Sequence, residues 1–252
     1  MRVHCFQHVP WDGPAFFPTW ASRRGHDWSV TLVPDAPRLP ALSSFDALVM
    51  LGGPMSLRDH RRYPWLTAEK RYLERVLAAD KPFFGICLGA QMLAEVHGAA
   101  VKAAPHREIG WFPLELAAAC RETWAGDAFP PNLEAFFWHE EAFETPRQAT
   151  RLAGTAANRH QGFVLGSSFG LQFHLEATPE WAAHLARRDA AQLVPAAYVQ
   201  RATDILARPH AVYERSHRVL QRLLDRWLDP ARRGAQRAAS AGIVRHATGP
   251  GR

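Results

Sequence analysis

Cys87 stands between two glycines in Gly85-Ile86-Cys87-Leu88-Gly89, after an apolar run and before a helical pattern. A cysteine there can be a small buried hydrophobe, a metal ligand or a nucleophile. A strand Phe83–Ile86 entering a helix Leu88–His97 through G-x-C-x-G has the layout of a nucleophile elbow, a sharp turn that strains the backbone at its central residue. The flanking glycines leave room for a neighbouring chain to pass closely. The sulfur then stands over a helix N-terminus, which favours its charged, reactive form. A structural cysteine in a tight turn would show the same spacing, so the elbow needs partners before it means chemistry.

Two further stretches could supply them. A cysteine nucleophile requires a base and a group to orient that base. In "GLQFHLEATPE", His174 and Glu176 stand two apart, so on an extended chain both project to the same side. Alone, H-x-E is as readily a surface pair; its place at the end of the apolar run "FGLQF" suits a site at the carboxyl edge of a parallel sheet. In "VMLGGPMS" another apolar run ends in Gly52-Gly53-Pro54. Acyl transfer needs two donors aimed at the developing oxyanion, and the amides of Leu88 and Gly53 are candidates. By itself Gly-Gly-Pro is also an ordinary turn.

The elements that must position these residues follow from hydrophobic periodicity. Arg2–His8, Trp28–Val33, Asp46–Leu51 and Phe83–Ile86 read as strands. Pro14–Arg24, Tyr63–Asp80 and the stretch after Cys87, stopped by Gly98, read as helices. Alternation of continuous apolar strands with helices predicts a parallel sheet covered on both faces. From Ala100 to Phe173 the pattern turns strand-rich, as if the sheet continued with some antiparallel members. Three helices are expected after Pro179, punctuated by Pro195 and Pro209.

Taken together, "LGGPMS", "GICLGAQ" and "GLQFHLE", in this order and at this spacing, resemble the class I glutamine amidotransferases, in particular their stand-alone GMP-synthase-like group. The resemblance runs from about Arg2 to Leu228 and includes "CFQHVPWDGP", "REIGW" and "WHEEAF". It implies an α/β, flavodoxin-like, open and mostly parallel sheet with helices on both faces. It also implies a triad that hydrolyses the glutamine side-chain amide through a thioester: Cys87 as nucleophile, His174 as general base and acid, Glu176 as its orienter. Gly53 and Leu88 would form the oxyanion hole. Gln91 and the Trp138-His139 loop would contact the substrate. No metal or organic cofactor is implied. A γ-glutamyl hydrolase or peptidase on the same scaffold is the alternative, and a non-catalytic binding protein a third.

Three departures from the family pattern matter. Where relatives have W-H-G-D, this chain reads Trp138-His139-Glu140-Glu141. Glu140 is expected to narrow or charge the pocket and to shift specificity towards a γ-glutamyl compound with a cationic group, unless it is a harmless loop substitution. Leu175 replaces a proline common in relatives, a change expected to be tolerated. No ATP-pyrophosphatase signature such as S-G-G-x-D-S follows, so an ammonia acceptor is expected on a separate synthetase subunit, if there is one.

Bulk properties exclude other classes. The 252 residues are 47% hydrophobic and 21% charged, as in ordinary globular proteins. No apolar run approaches the roughly 20 residues of a membrane span. The N-terminus lacks a signal-peptide layout, so a cytoplasmic protein is expected. The three cysteines, Cys5, Cys87 and Cys120, form no C-x-x-C pair, and the 13 histidines form no H-E-x-x-H or H-x-H group. Cys5 and Cys120 read as structural or incidental. Five of the six net positive charges fall in Pro230–Arg252, leaving +1 on residues 1–229. That divides the chain into one domain, 1–228, and a basic tail, 229–252, expected to be disordered and solvated. The body's near-neutrality argues against nucleic acid as a partner.

Overall fold

The computed structural model describes residues 1–36 and 38–229. Apart from Asp229, the basic tail expected from the sequence lies outside the described residues. In chain order the strands are β1 (Arg2–Gln7), β2 (Asp27–Leu32), β3 (Ala47–Met50), β4 (Phe83–Ile86) and β5 (Val101–Pro113), then β6 (Glu115–Leu116), β7 (Glu134–Phe143), β8 (Thr150–Gly154), β9 (Gly162–Leu165) and β10 (Ser168–Leu171). The α-helices are α1 (Phe17–Arg23), α2 (Trp65–Ala78), α3 (Leu88–Val96), α4 (Pro179–Arg188), α5 (Ala202–Leu206) and α6 (His210–Trp227).

Eight strands form one sheet in the order β2-β1-β3-β4-β10-β9-β8-β6. The first five are mutually parallel, and β10, β9, β8 and β6 pair antiparallel. The long strands β5 and β7 form a separate antiparallel ribbon whose register shifts between Ala103 and Glu108. The sheet is thus the mostly parallel one that the strand–helix alternation predicts, with an antiparallel continuation.

The central strands β3, β4 and β10 are buried at every position, which is why β3 and β4 read as unbroken apolar runs. Alternate residues still choose opposite faces. Ala47 and Val49 join Phe17 and Trp20 of α1 and Leu220, Leu223 and Trp227 of α6. Leu48 and Met50 join Leu73 and Val76 of α2 and Met92 and Leu93 of α3. Helix α6 buries Tyr213, Val219, Leu220, Leu223, Leu224 and Trp227, an i, i+3, i+4 stripe. A third cluster sits under the ribbon, where Ile109, Trp111 and Phe136 meet Trp181 of α4, Ile205 of α5 and Tyr213 of α6. Helix α4 starts where the sequence allows: the Thr178 hydroxyl accepts the Trp181 amide at 3.2 Å and Pro179 occupies the first turn.

Two expectations need correction. β10 stops at Leu171 rather than running on to His174. The middle C-terminal helix, expected over Pro195–Leu206, is reduced to α5. The segment before it pairs with the ribbon instead: the Ile109 amide donates to Tyr198 O at 2.9 Å, and the Gln200 amide to Ile109 O at 2.9 Å. Those backbone bonds compete directly with a helical ladder. No helix among the described residues is long and apolar enough to cross a membrane.

Candidate active site

The β4–α3 turn holds Cys87 at φ +50° and ψ −106°, a left-handed conformation rare for a side-chain-bearing residue. A Cβ on Gly85 would strike the carbonyl of Gly89, and one on Gly89 the carbonyl of Met50 at the end of β3. Both glycines therefore answer to close backbone approach, as the elbow pattern requires. The Cys87 amide donates to Leu171 O of β10 at 2.8 Å and ties the turn to the next strand.

His174 lies three residues past β10 and is fixed by its amide, which donates to Phe136 O at 2.8 Å. Phe173 and Leu175 are fully buried in the core, while His174 and Glu176 face the other way, with His174 Nδ1 2.7 Å from Glu176 Oε1. The alternation expected of a strand persists although the ladder has ended. Leu175, where relatives carry proline, fills core space. A Cβ built on Gly52 would lie 3.8 Å from Cys87 Sγ and 3.5 Å from His174 Cε1, so sulfur and imidazole meet above that glycine. Burial opposes charge on His174, but the Glu176 carboxylate and the contact with Cys87 outweigh it and raise the imidazole well above its ordinary pKa.

Three strand-end segments complete the surroundings. After β1, His8 Nδ1 bonds Gly52 O at 2.7 Å and His8 Nε2 bonds Glu69 Oε1 of α2 at 2.9 Å, both side chains being fully buried. Burial again opposes charge, and Glu69 overcomes it, so His8 is raised too. The Gly52 carbonyl and the Gly53 N–H belong to one trans peptide and point in opposite directions. Holding the carbonyl from behind therefore aims the Gly53 amide away from His8. Neither that amide nor the Leu88 amide donates to another protein group among the described residues.

A cavity of about 300 Å³ opens over Cys87 and His174. Gln91, Trp138, His139 and Glu140 all line it. Their polar groups are used unequally. Gln91 Nε2 donates to Glu141 O at 3.0 Å and to Gln172 Oε1 at 3.3 Å, which leaves Oε1 as its free acceptor. Trp138 donates its indole N–H to Gln192 at 2.8 Å, and its carbonyl lies 4.0 Å from Cys87 Sγ. His139 is turned into the wall, with Nδ1 on Glu141 O at 3.0 Å and Nε2 3.1 Å from the buried Glu108. Glu140 does border the cavity, but its carboxylate pairs with Arg107 at 2.7 Å. Burial pushes the other two thiols up, Cys120 to about 11 and Cys5 well above the ordinary thiol value, so neither supplies a thiolate near neutrality.

A sequence model of the family "Glutamine amidotransferase class-I" matches residues 22–190. The chain belongs to the class I glutamine amidotransferases. Within that family it is 34% identical over 185 residues to the glutamine amidotransferase-like protein YfeJ of Salmonella typhimurium, covering 71% of this chain and 77% of that one. It is 30% identical over 140 residues to a glutamine-hydrolyzing GMP synthase of Aeromonas salmonicida, covering 52% of this chain but only 25% of that longer protein. A solved glutamine amidotransferase of Thermotoga maritima superposes with a TM-score of 0.82 at 28% identity, covering 91% of this chain and 98% of the other. This class I amidotransferase therefore has the fold as well as the sequence of its relatives.

The sequence reading assigned no role to His8, Glu69, Asp12, Trp181 or Glu108. The signal for the first and third was positional: in a parallel sheet every loop leaving a carboxyl strand end faces the site, and His8 and Asp12 both follow β1. Glu69 and Glu108 leave no such mark, because a buried carboxylate on a helix or ribbon looks like a surface one in sequence.

Proposed function

We propose that this chain hydrolyses the side-chain amide of glutamine, or of a related γ-glutamyl amide, by a Cys87 thioester. The observation that carries the reading is the meeting of Cys87 on its positive-φ elbow with the His174–Glu176 pair. Two unengaged amides beside them support it. In the first half-reaction the Cys87 sulfur attacks the γ-carbonyl carbon, and the oxyanion takes the Gly53 and Leu88 amides. The His174 imidazolium gives its proton to the leaving nitrogen, the C–N bond breaks, and ammonia or an amine departs. In the second half-reaction His174 takes a proton from water as the hydroxyl adds to the thioester. The C–S bond then breaks, releasing glutamate and the thiolate. Gln91 and the Trp138-His139 loop hold the rest of the substrate. Ammonia would pass to a separate synthetase subunit or escape free.

Purified protein incubated with glutamine and a panel of γ-glutamyl amides should release glutamate together with ammonia or amine. Cys87→Ala should remove at least about 10⁴-fold of that activity. Full turnover without Cys87 would end the mechanism, and turnover that needs an added synthetase would identify this chain as its glutaminase subunit.

A further inference from the structure

The cavity over Cys87 is lined by five carboxylates, Asp12, Asp59, Glu140, Glu141 and Asp189, and by no lysine or arginine. Four of them are engaged by the protein. Glu140 pairs with Arg107, Glu141 with Arg58 and the Ser56 hydroxyl, Asp189 with Arg188, and Asp59 accepts the Ser56 amide. Asp12 differs. It is 9% exposed, and its one hydrogen bond from another side chain is the Trp181 indole N–H, 2.8 Å from Oδ1. Among the described residues no hydrogen bond reaches its Oδ2, and Asp12 lines the cavity.

No arginine or lysine pairs with Asp12, and the positive groups that act on it are the imidazoles of His174 and His8. Burial pushes its carboxyl up, while His174 and the Trp181 bond pull the other way. The indoles of Trp138 and Trp181 also line the cavity, and aromatic faces favour cations. A carboxyl oxygen with no hydrogen-bond donor, aromatic walls and a second free acceptor on Gln91 make a pocket suited to an N–H-bearing cation, whose charge would itself favour the carboxylate.

The geometry points to Asp12 as the receptor for an alkylammonium group of the substrate, held in the cavity that contains Cys87. This rests on the γ-glutamyl reading above and deepens it. It also moves cation recognition from Glu140, which Arg107 already neutralises, to Asp12 in the same cavity. The ammonium can be the α-amino group of the glutamyl unit or a charged amine on the leaving side. Either would complete the same pair with Asp12.

Binding to Cys87→Ala protein, measured by titration calorimetry, separates these sources without relying on turnover. Two ligand pairs are used: glutamine against 5-amino-5-oxopentanoate, which lacks only the α-ammonium, and the γ-glutamyl N-(4-aminobutyl) amide against its N-butyl analogue. In at least one pair, the member with the extra ammonium should bind about tenfold or more tightly than the twin that lacks it. That preference should vanish in Cys87→Ala/Asp12→Asn, where asparagine keeps an oxygen for Trp181. Discrimination in the first pair assigns the α-ammonium, and in the second the leaving amine. If neither pair discriminates, if the preference survives Asp12→Asn, or if none of the four binds, the proposal is overturned. Should Asp12→Asn fail to fold, Asp12→Glu must weaken the ligands with the extra ammonium selectively, and equal weakening of both twins overturns it. Selective binding by Cys87→Ala with no hydrolysis by the unaltered enzyme would sink the glutaminase reading and leave the Asp12 site standing.

Discussion

Cys87, His174 and Glu176 are set apart by environment rather than by residue type. All three thiols are buried, yet only Cys87 stands at a helix N-terminus beside an imidazole. Glu176 has the clearest separable task, since its charge is the main influence holding His174 protonated against burial. Glu176→Gln should lower kcat by about 10²–10⁴-fold. Because the raising charge is gone, His174 should lose its proton at lower pH. The alkaline limb of the kcat/KM profile should accordingly move to lower pH, and an unmoved limb would show that Glu176 does not set the charge on His174. At this scale the sequence was legible wherever a motif combined residue type with spacing, as in G-x-C-x-G and H-x-E. It was illegible for His139: the W-H motif fixes that residue at the pocket, but only the position of Glu108 turns its ring into the wall.

The elbow shows how elements impose themselves on residues. Helix α3 and strands β3 and β4 come so close at Gly85 and Gly89 that no methyl group fits against the carbonyls there. Gly89→Ala should destabilise the fold by about 1–3 kcal/mol through overpacking, read as a fall in the urea midpoint with an unchanged slope. If the variant matches the parent protein, the turn is looser than described. Strand identity was readable because β3 and β4 are apolar on both faces, whereas strand ends were not. Nothing in "FGLQFH" marks Leu171 as the last ladder residue, since the carbonyl that meets His174 belongs to Phe136 on the distant ribbon. The helix expected over Pro195–Leu206 failed for a similar reason. Its backbone had a better partner in Ile109, and long-range partners leave no local pattern.

Across the whole molecule, histidines govern the response to pH. Burial lowers His4, His97 and His217, and burial with nearby positive charge lowers His26 and His160. Below the ordinary histidine value of about 6.5 the unfolded chain binds protons that these five refuse, so stability falls as pH drops. His8 and His174 act in the opposite sense. Raised by Glu69 and Glu176, they contribute stability that is complete below about 6.5 and is lost as pH climbs through their folded values. Thermal melts from about pH 5 to 9 should therefore peak near neutrality, with the steeper decline on the acid side. A monotonic rise through pH 9 would mean that the two raised histidines are not charged in the folded protein.

The partnership of β4 with β10 has a consequence in time. Phe83 pairs with Ser168 and Ile86 with Leu171, partners separated along the chain by everything from α3 to β9. Contacts of such long sequence separation form late, after the local ones that make loop closure affordable. An elbow emerging from the ribosome thus carries its thiol well before any base can reach it. On the proposed mechanism, reactivity at Cys87 would arrive only when β10 docks on β4, so a nascent or half-folded chain would hold an ordinary cysteine in place of an armed one.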